Sequence, residues 1–148
     1  MSCLAIRPME EADLPALCRA EGSETTEGRE CFARYFAWQQ EGGCVFLLAF
    51  VNEALAGHLF VFFHDAPACR PDLEMPRLAD LLVYEPFRGQ GIASALLLAG
   101  EARARTFCDC AFLTVGPDLP IRQAYERRGY TFFGFEGDDA VLVKRLKA

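Results

Sequence analysis

The segment from Arg77 to Val115 constrains the fold of this 148-residue chain more than any other. Residues 77–84, RLADLLVY, form a short apolar run of strand length, and Pro86 holds Glu85 extended so that the strand stops there. Ile92, Ala95, Leu96, Ala99 and Ala102 then trace one face of a helix predicted from Gly91 to about Thr106, and CAFLTV, residues 110–115, reads as a second strand. A strand, a crossover helix and a strand in so short a span imply a parallel pair joined by a right-handed connection.

The flanking sequence adds antiparallel partners. LAIRPM, residues 4–9, reads as an opening strand with Pro8 at its exit or on an edge. EEADLPALCRAEG follows as a helix with acids in its first turn and Gly22 as its stop. A second helix is predicted over Glu27–Gln40, ended by Gly42 and Gly43. Its Phe32, Tyr35, Phe36 and Trp38 are read as core, with one aromatic edge lining an acceptor pocket as the other possibility.

CVFLLAFV and LAGHLFVFF, separated by Asn52, Glu53 and Ala54, have the pattern of a hairpin whose strands are covered on both faces. HDAPACRPDLEMP, with Pro67, Pro71 and Pro76, reads as an irregular excursion and as the candidate substrate-facing insertion. A fourth helix is expected over about Pro120–Arg128, and TFFGF and AVLVKRL form a last hairpin around Glu136–Asp139. The expectation is one α/β domain over residues 1–148, a mixed sheet of about seven strands with four helices and a central parallel pair.

Charge and cysteine usage narrow the partners. The net charge of −6 does not suit a nucleic acid held by its phosphates, which requires clustered Lys and Arg. Seven cysteines (Cys3, Cys18, Cys31, Cys44, Cys69, Cys108, Cys110) form no CxxC pair and have only His58 and His64 as companions, so no metal is expected. The odd count and apolar neighbours, as in GGCVFLL, fit reduced thiols and hence the cytoplasm. Arg7, Glu10, Glu11 and Asp13 stand near the N-terminus without a long apolar run, so neither a signal peptide, a membrane anchor nor a membrane partner is expected.

Arg88, Gly89, Gln90 and Gly91 sit where the first strand of the parallel pair gives way to its helix. The free N–H groups and macrodipole of a helix start, reached over backbone without side chains, make an anion site, to which Arg88 adds charge and Ser94 a hydroxyl. The same glycines also suit a turn that serves the fold alone. Gly89-x-Gly91-x-x-Ser94 lacks the third glycine of a dinucleotide fingerprint, and no GK[ST] follows to make a Walker A loop.

Arg88-x-x-Gly91-x-Ala93 is similar to the Q/R-x-x-G-x-G/A pyrophosphate signature of the GNAT acyltransferase superfamily. DLLVYEPFRGQGIASALL, residues 80–97, resembles that superfamily's strand, bulge and phosphate loop. AYERRGY, residues 124–130, resembles its downstream "lYek.GF" segment, and IRPMEEADLPAL its first strand and helix. The likeness implies acetyl-CoA as donor, its pantetheine arm lying where the two parallel strands splay and pairing with the backbone of Leu82 and Val83. It places the phosphates at Arg88, Gly89, Gln90, Gly91, Ile92, Ala93 and Ser94.

The resemblance also implies Tyr125 as the acid that protonates the departing thiolate, although a tyrosine there also serves as an ordinary anchor of the last helix. The backbone N–H of Val83 would meet the oxyanion. Asp80 is the candidate base or amine-orienting group, because a carboxylate inside LADLLV is costly unless it has a purpose. An ion pair with Arg77 or a loop arginine is the alternative.

Ala79 stands where the similar strand of spermidine/spermine acetyltransferases carries a glutamate, Asp118 where the family often has asparagine, and Ile121 where it often has alanine. His58 and His64 read as structural histidines. The implied activity is direct acetyl transfer in a ternary complex to a primary amine of a small molecule, such as a polyamine or aminoglycoside, or of a protein. Acids at Asp72, Glu74, Glu136, Asp138 and Asp139 lean toward a cationic acceptor. A non-catalytic acyl-CoA sensor and a purely structural partner protein are the rival functions, and apolar edge strands are compatible with a homodimer.

Overall fold

The computed structural model describes residues 3–22 and 26–146. In chain order it contains β1 (Leu4–Pro8), a 3-10 turn (Glu11–Asp13), α1 (Leu14–Ala20), α2 (Thr26–Gln40), β2 (Cys44–Val51), β3 (Ala54–Asp65) and β4 (Met75–Val83). A second 3-10 turn (Glu85–Phe87) follows, then α3 (Ile92–Arg105), β5 (Cys110–Val115), α4 (Leu119–Glu126), β6 (Thr131–Glu136) and β7 (Asp139–Arg145). Two compact units emerge: the chain up to Phe60 with Asp80–Ala99, and Val61–Ala79 with the chain from Gly100 onward. Among the described residues no helix is long and apolar enough to cross a membrane.

In the first unit the strand order is β1, β2, β3, β4. β1 is antiparallel to β2 from Leu4↔Val51 to Pro8↔Leu47, so Pro8 sits on an outer strand, where its missing N–H is tolerated. Asn52 and Glu53 both have positive φ, 49° and 72°, as a two-residue type I′ hairpin requires. Arg7 grips Asp13 through two bonds, 2.7 and 2.9 Å, and Asp13 in turn accepts from the Glu10 N–H, which fixes the entry into α1. Gly22 (φ 66°) and Gly42 (φ 87°) follow α1 and α2 at the expected stops.

Leu17, Cys18, Val45, Leu47, Leu48, Leu59 and Leu96 are buried in this unit, and the two apolar strands are covered on both faces as predicted. The buried face of α3 differs from the predicted one. Ala102 is exposed, while Leu97, Gly100, Glu101 and Ala104 are buried, because ASALLLAG is apolar around most of the helix and offers no single stripe.

In the second unit the order is β3, β4, β5, β7, β6. The predicted parallel pair is present: β4 joins β5 in parallel at Arg77↔Phe112. β5 is antiparallel to β7 from Cys110↔Arg145 to Val115↔Ala140, and β6 pairs with β7 through an irregularity between Phe132 and Gly134. β3 and β4 each run two residues further than predicted, to Asp65 and back to Met75, which shortens the proline-rich excursion.

That excursion is anchored. Cys69 and Leu73 pack on Met75, Phe112 and Val141. The Ala68 N–H donates to Glu136 (3.0 Å), and Arg77 bridges Asp65 and Glu136 at 2.9 Å each. A buried carboxylate, Glu101, accepts from the Tyr130 hydroxyl (2.7 Å) and from Lys144 (3.0 Å), so its charge is matched and hydrogen-bonded.

Candidate active site

The site in the first unit begins with a glycine. Gly57 lies buried in the middle of β3, and a Cβ there would stand 2.4 Å from the Leu82 carbonyl oxygen and 3.1 Å from the Val83 Cα. Only a residue without a side chain allows β4 to approach so closely. Three residues before Val83, Asp80 takes φ 55°, a left-handed conformation that aspartate tolerates better than most residues and that departs from the extended backbone of the strand.

Asp80 is exposed, so the desolvation cost expected of an acid within LADLLV does not arise. The alternative ion pair with Arg77 is not formed either, because Arg77 is committed to Asp65 and Glu136, and Asp80 makes no ion pair among the described residues. The backbone of Asp80 is held from beneath: its carbonyl accepts the Nδ1–H of buried His58 at 2.8 Å.

His58 is hydrogen-bonded at both ring nitrogens, as expected of a structural histidine. A carbonyl cannot donate, so Nδ1 carries a proton, and Nε2 faces Glu21 Oε1 at 2.6 Å. Tyr84 donates to the same carboxylate oxygen, also at 2.6 Å. Burial first, and the Glu21 bond second, push the Tyr84 hydroxyl well above its ordinary pKa and keep it a donor. No local pattern in the sequence connects Glu21, His58 and Tyr84; the β3–β4 pairing and the end of α1 bring them together.

Glu21 and His58 open on a cavity of about 700 Å³ lined, among the described residues, by Glu21, Gly28, Cys31, Phe32, Tyr35, Phe46, His58, Phe60, Asp80, Leu81 and Leu82. Phe32 and Tyr35, expected in the core, are half-buried and form its wall, and Trp38 is exposed. Phe46 and Phe60, stacked with centroids 4.6 Å apart, form its floor. The hydrogen bond with Cys31 is the chief influence raising the Tyr35 pKa; burial and the nearby Asp80 carboxylate add to it and Arg34 opposes them.

The glycine turn follows β4 directly. Gly89 and Gly91 have φ 79° and 76°, and a Cβ on either would meet no atom within 4 Å. Conformation, not crowding inside the protein, therefore requires glycine there. Ile92, Ala93 and Ser94 form the first turn of α3, whose backbone N–H groups stand ahead of the helical bond from Ala95 N–H to Gly91 O (3.1 Å). Arg88 is exposed, and its Nε donates to the Val83 carbonyl at 3.0 Å, which ties the turn to the strand end.

In the second unit Tyr125 lies on α4 with its ring edge-on to Tyr130, centroids 5.7 Å apart. Its hydroxyl has no protein partner among the described residues, and burial raises its pKa against the opposing charge of Arg128. Asp118, where the family often has asparagine, is the N-cap of α4 and accepts from the Ile121 N–H at 3.1 Å. Asp118→Ala is accordingly expected to cost about 1 kcal/mol, read as a lower denaturation midpoint, whereas Asp118→Asn should cost a few tenths at most. His64 pairs with Glu74 at 2.7 Å on the surface, a structural role as expected.

The model of the acetyltransferase (GNAT) family matches residues 10–130. An N-acetyltransferase from Staphylococcus aureus Mu50 superposes with a TM-score of 0.75 at 16% identity, over 98% of this chain and 99% of its own. The PaiA N-acetyltransferase from Thermoplasma acidophilum, solved in complex with coenzyme A, gives 0.72 at 18% identity over 97% and 99%. RimL, the ribosomal L7/L12 α-N-protein acetyltransferase, gives 0.73 at 23% identity over 98% and 94%. No curated protein sequence matches the chain. At these identities the structural likeness establishes the fold.

Proposed function

Because this chain belongs to the acetyltransferase (GNAT) family, we propose that it moves an acetyl group from acetyl-CoA to a primary amine by direct attack in a ternary complex. The observation that carries this reading lies within the first unit. A glycine turn and helix start suited to a diphosphate directly follow the strand whose preceding residues, Asp80, Leu81 and Leu82, line a cavity of acceptor size.

The residues present fit such a donor. The backbone N–H groups at the start of α3, with Gly89, Gln90, Gly91 and the Arg88 guanidinium, would hold the diphosphate, and the backbone of Leu82 and Val83 would pair with the pantetheine amides. Acetyl-CoA would supply the activated thioester. Asp80 orients the acceptor ammonium and draws off its proton, since an alkylamine of pKa about 10 is otherwise protonated at neutral pH. The resemblance would give the Val83 N–H the developing oxyanion and the Tyr125 hydroxyl, whose pKa burial raises, the proton for the departing thiolate.

Thiol release from acetyl-CoA across a panel of primary amines tests the reading. Turnover is expected on at least one amine. Tyr125→Phe should lower kcat by about 10² to 10⁴ with little change in the KM for acetyl-CoA, and Asp80→Asn should lower kcat and raise the KM for the amine. Tight coenzyme A binding with no turnover on any amine would favour an acyl-CoA sensor instead.

A further inference from the structure

We propose that the acceptor is a monocation carrying an aromatic or cyclic apolar body, and not a polyamine or an aminoglycoside. The inference rests on the acetyltransferase reading above and assigns the substrate class of the same cavity.

Charge decides the first part. Two carboxylates line the cavity among the described residues, Glu21 and Asp80, and no lysine or arginine does. Glu21 is already answered. With the His58 Nδ1–H given to the Asp80 carbonyl, the 2.6 Å contact between Nε2 and Oε1 requires a proton on that line. Held by the imidazole, it makes a cation beside an anion; held by the carboxyl, it makes two neutral groups. The pair is neutral in either case, and Tyr84 adds a neutral donor to it. Asp80 is left as the single uncompensated charge, exposed toward the cavity and without an ion-pair partner among the described residues.

Among the described residues one ammonium therefore answers the cavity's uncompensated charge. The second and third ammonium groups of a polyamine would meet no further uncompensated carboxylate among those residues, and most hydroxyls of an aminoglycoside would lie against the aromatic walls.

Shape and chemistry of the walls decide the second part. Phe32 stacks toward Phe46 with centroids 6.4 Å apart and planes 12° from parallel, and Tyr35 meets Phe60 edge-on at 4.9 Å. The aromatic surface continues into Leu81 and Leu82. A cavity of about 700 Å³ is too large for a bare alkylamine and accommodates a ring on a short aminoalkyl arm. The rings offer such a body offset-stacking and edge contacts, and they offer its ammonium a cation–π face beside Asp80.

The experiment titrates the purified full chain, without coenzyme A, by calorimetry with 2-phenylethylamine, n-butylamine and spermidine, and in parallel measures thiol release from acetyl-CoA with the same three amines. 2-Phenylethylamine is expected to bind at least roughly tenfold more tightly than either competitor. Asp80→Asn should weaken both monoamines by about tenfold or more, because it removes the charge while keeping a residue that tolerates the left-handed backbone. Phe32→Ala should erase most of the preference of 2-phenylethylamine over n-butylamine, and Phe32→Leu, which keeps volume but not the ring, should erase part of it.

Spermidine binding as tightly as 2-phenylethylamine, or a preference untouched in both Phe32 variants, overturns the inference. Thiol release with spermidine but not with 2-phenylethylamine overturns it while leaving the acetyltransferase reading intact. Tight, Asp80-dependent binding of 2-phenylethylamine with no thiol release from any amine upholds the ligand class and overturns the transfer reaction.

Discussion

Gly57→Ala is expected to destabilise the protein by at least about 3 kcal/mol and to lower its melting temperature by roughly 10 °C, at about 2–4 °C per kcal/mol for a chain of this size. The added methyl carbon would stand 2.4 Å from one backbone atom of β4 and 3.1 Å from another, and neither can rotate away as the tip of a side chain could. Overpacking in a rigid interior costs roughly 1–3 kcal/mol by itself. Here relief also requires the two strands to part, which endangers bonds such as Tyr84 N–H to Ala56 O, 2.8 Å, each of about 1 kcal/mol net. Gly43→Ala is the control: its added carbon meets nothing within 4 Å and its φ is not positive, so its midpoint should move by less than about 0.5 kcal/mol. Equal urea midpoints for the two variants would refute the close-approach account of β3 and β4.

Gly91→Val is expected to weaken coenzyme A binding by about a hundredfold while leaving the protein folded. At φ 76° a residue with a Cβ costs roughly 1–2 kcal/mol, and a β-branched one pays at the upper end. No protein atom stands within 4 Å of the new Cβ, so the fold can bear that cost with a melting temperature a few degrees lower. A diphosphate lying over the backbone cannot bear it, because the isopropyl group occupies the approach and the turn relaxes away from the N–H groups that would grip the anion. Two charge-assisted bonds at about 1.5 kcal/mol each amount to the hundredfold. Gln90→Ala, which leaves the backbone unchanged, should alter affinity by less than about threefold. Calorimetry with coenzyme A on the three proteins separates these outcomes, and wild-type affinity in Gly91→Val would remove the phosphate assignment.

Sequence reading succeeded where the physical signal is local. The Asn52–Glu53 turn, the stops at Gly22 and Gly42, the left-handed glycines before α3 and the parallel pair all follow from residues near one another in the chain. It failed where one residue answers to a distant one. Asp80 is exposed, against the burial that LADLLV implies, and its alternative ion pair with Arg77 is not formed because Arg77 meets Asp65 and Glu136. Phe32 and Tyr35 line a cavity, the second of the two readings open to them, and helical spacing cannot tell a ring packed against a neighbour from one that walls a cavity.

By itself, then, the order of residues determined the elements, their sequence in the chain, and a helix start able to hold an anion, because hydrophobic period, glycine conformation and the N-terminal N–H groups of a helix are properties of short segments. Only the tertiary structure decided that Glu21, His58 and Asp80 line one cavity and that Tyr84 donates to Glu21. Those four groups come from separate elements, their proton is fixed by a carbonyl on another strand, and a charge balance among distant residues exists only once β3 has closed on β4 across Gly57.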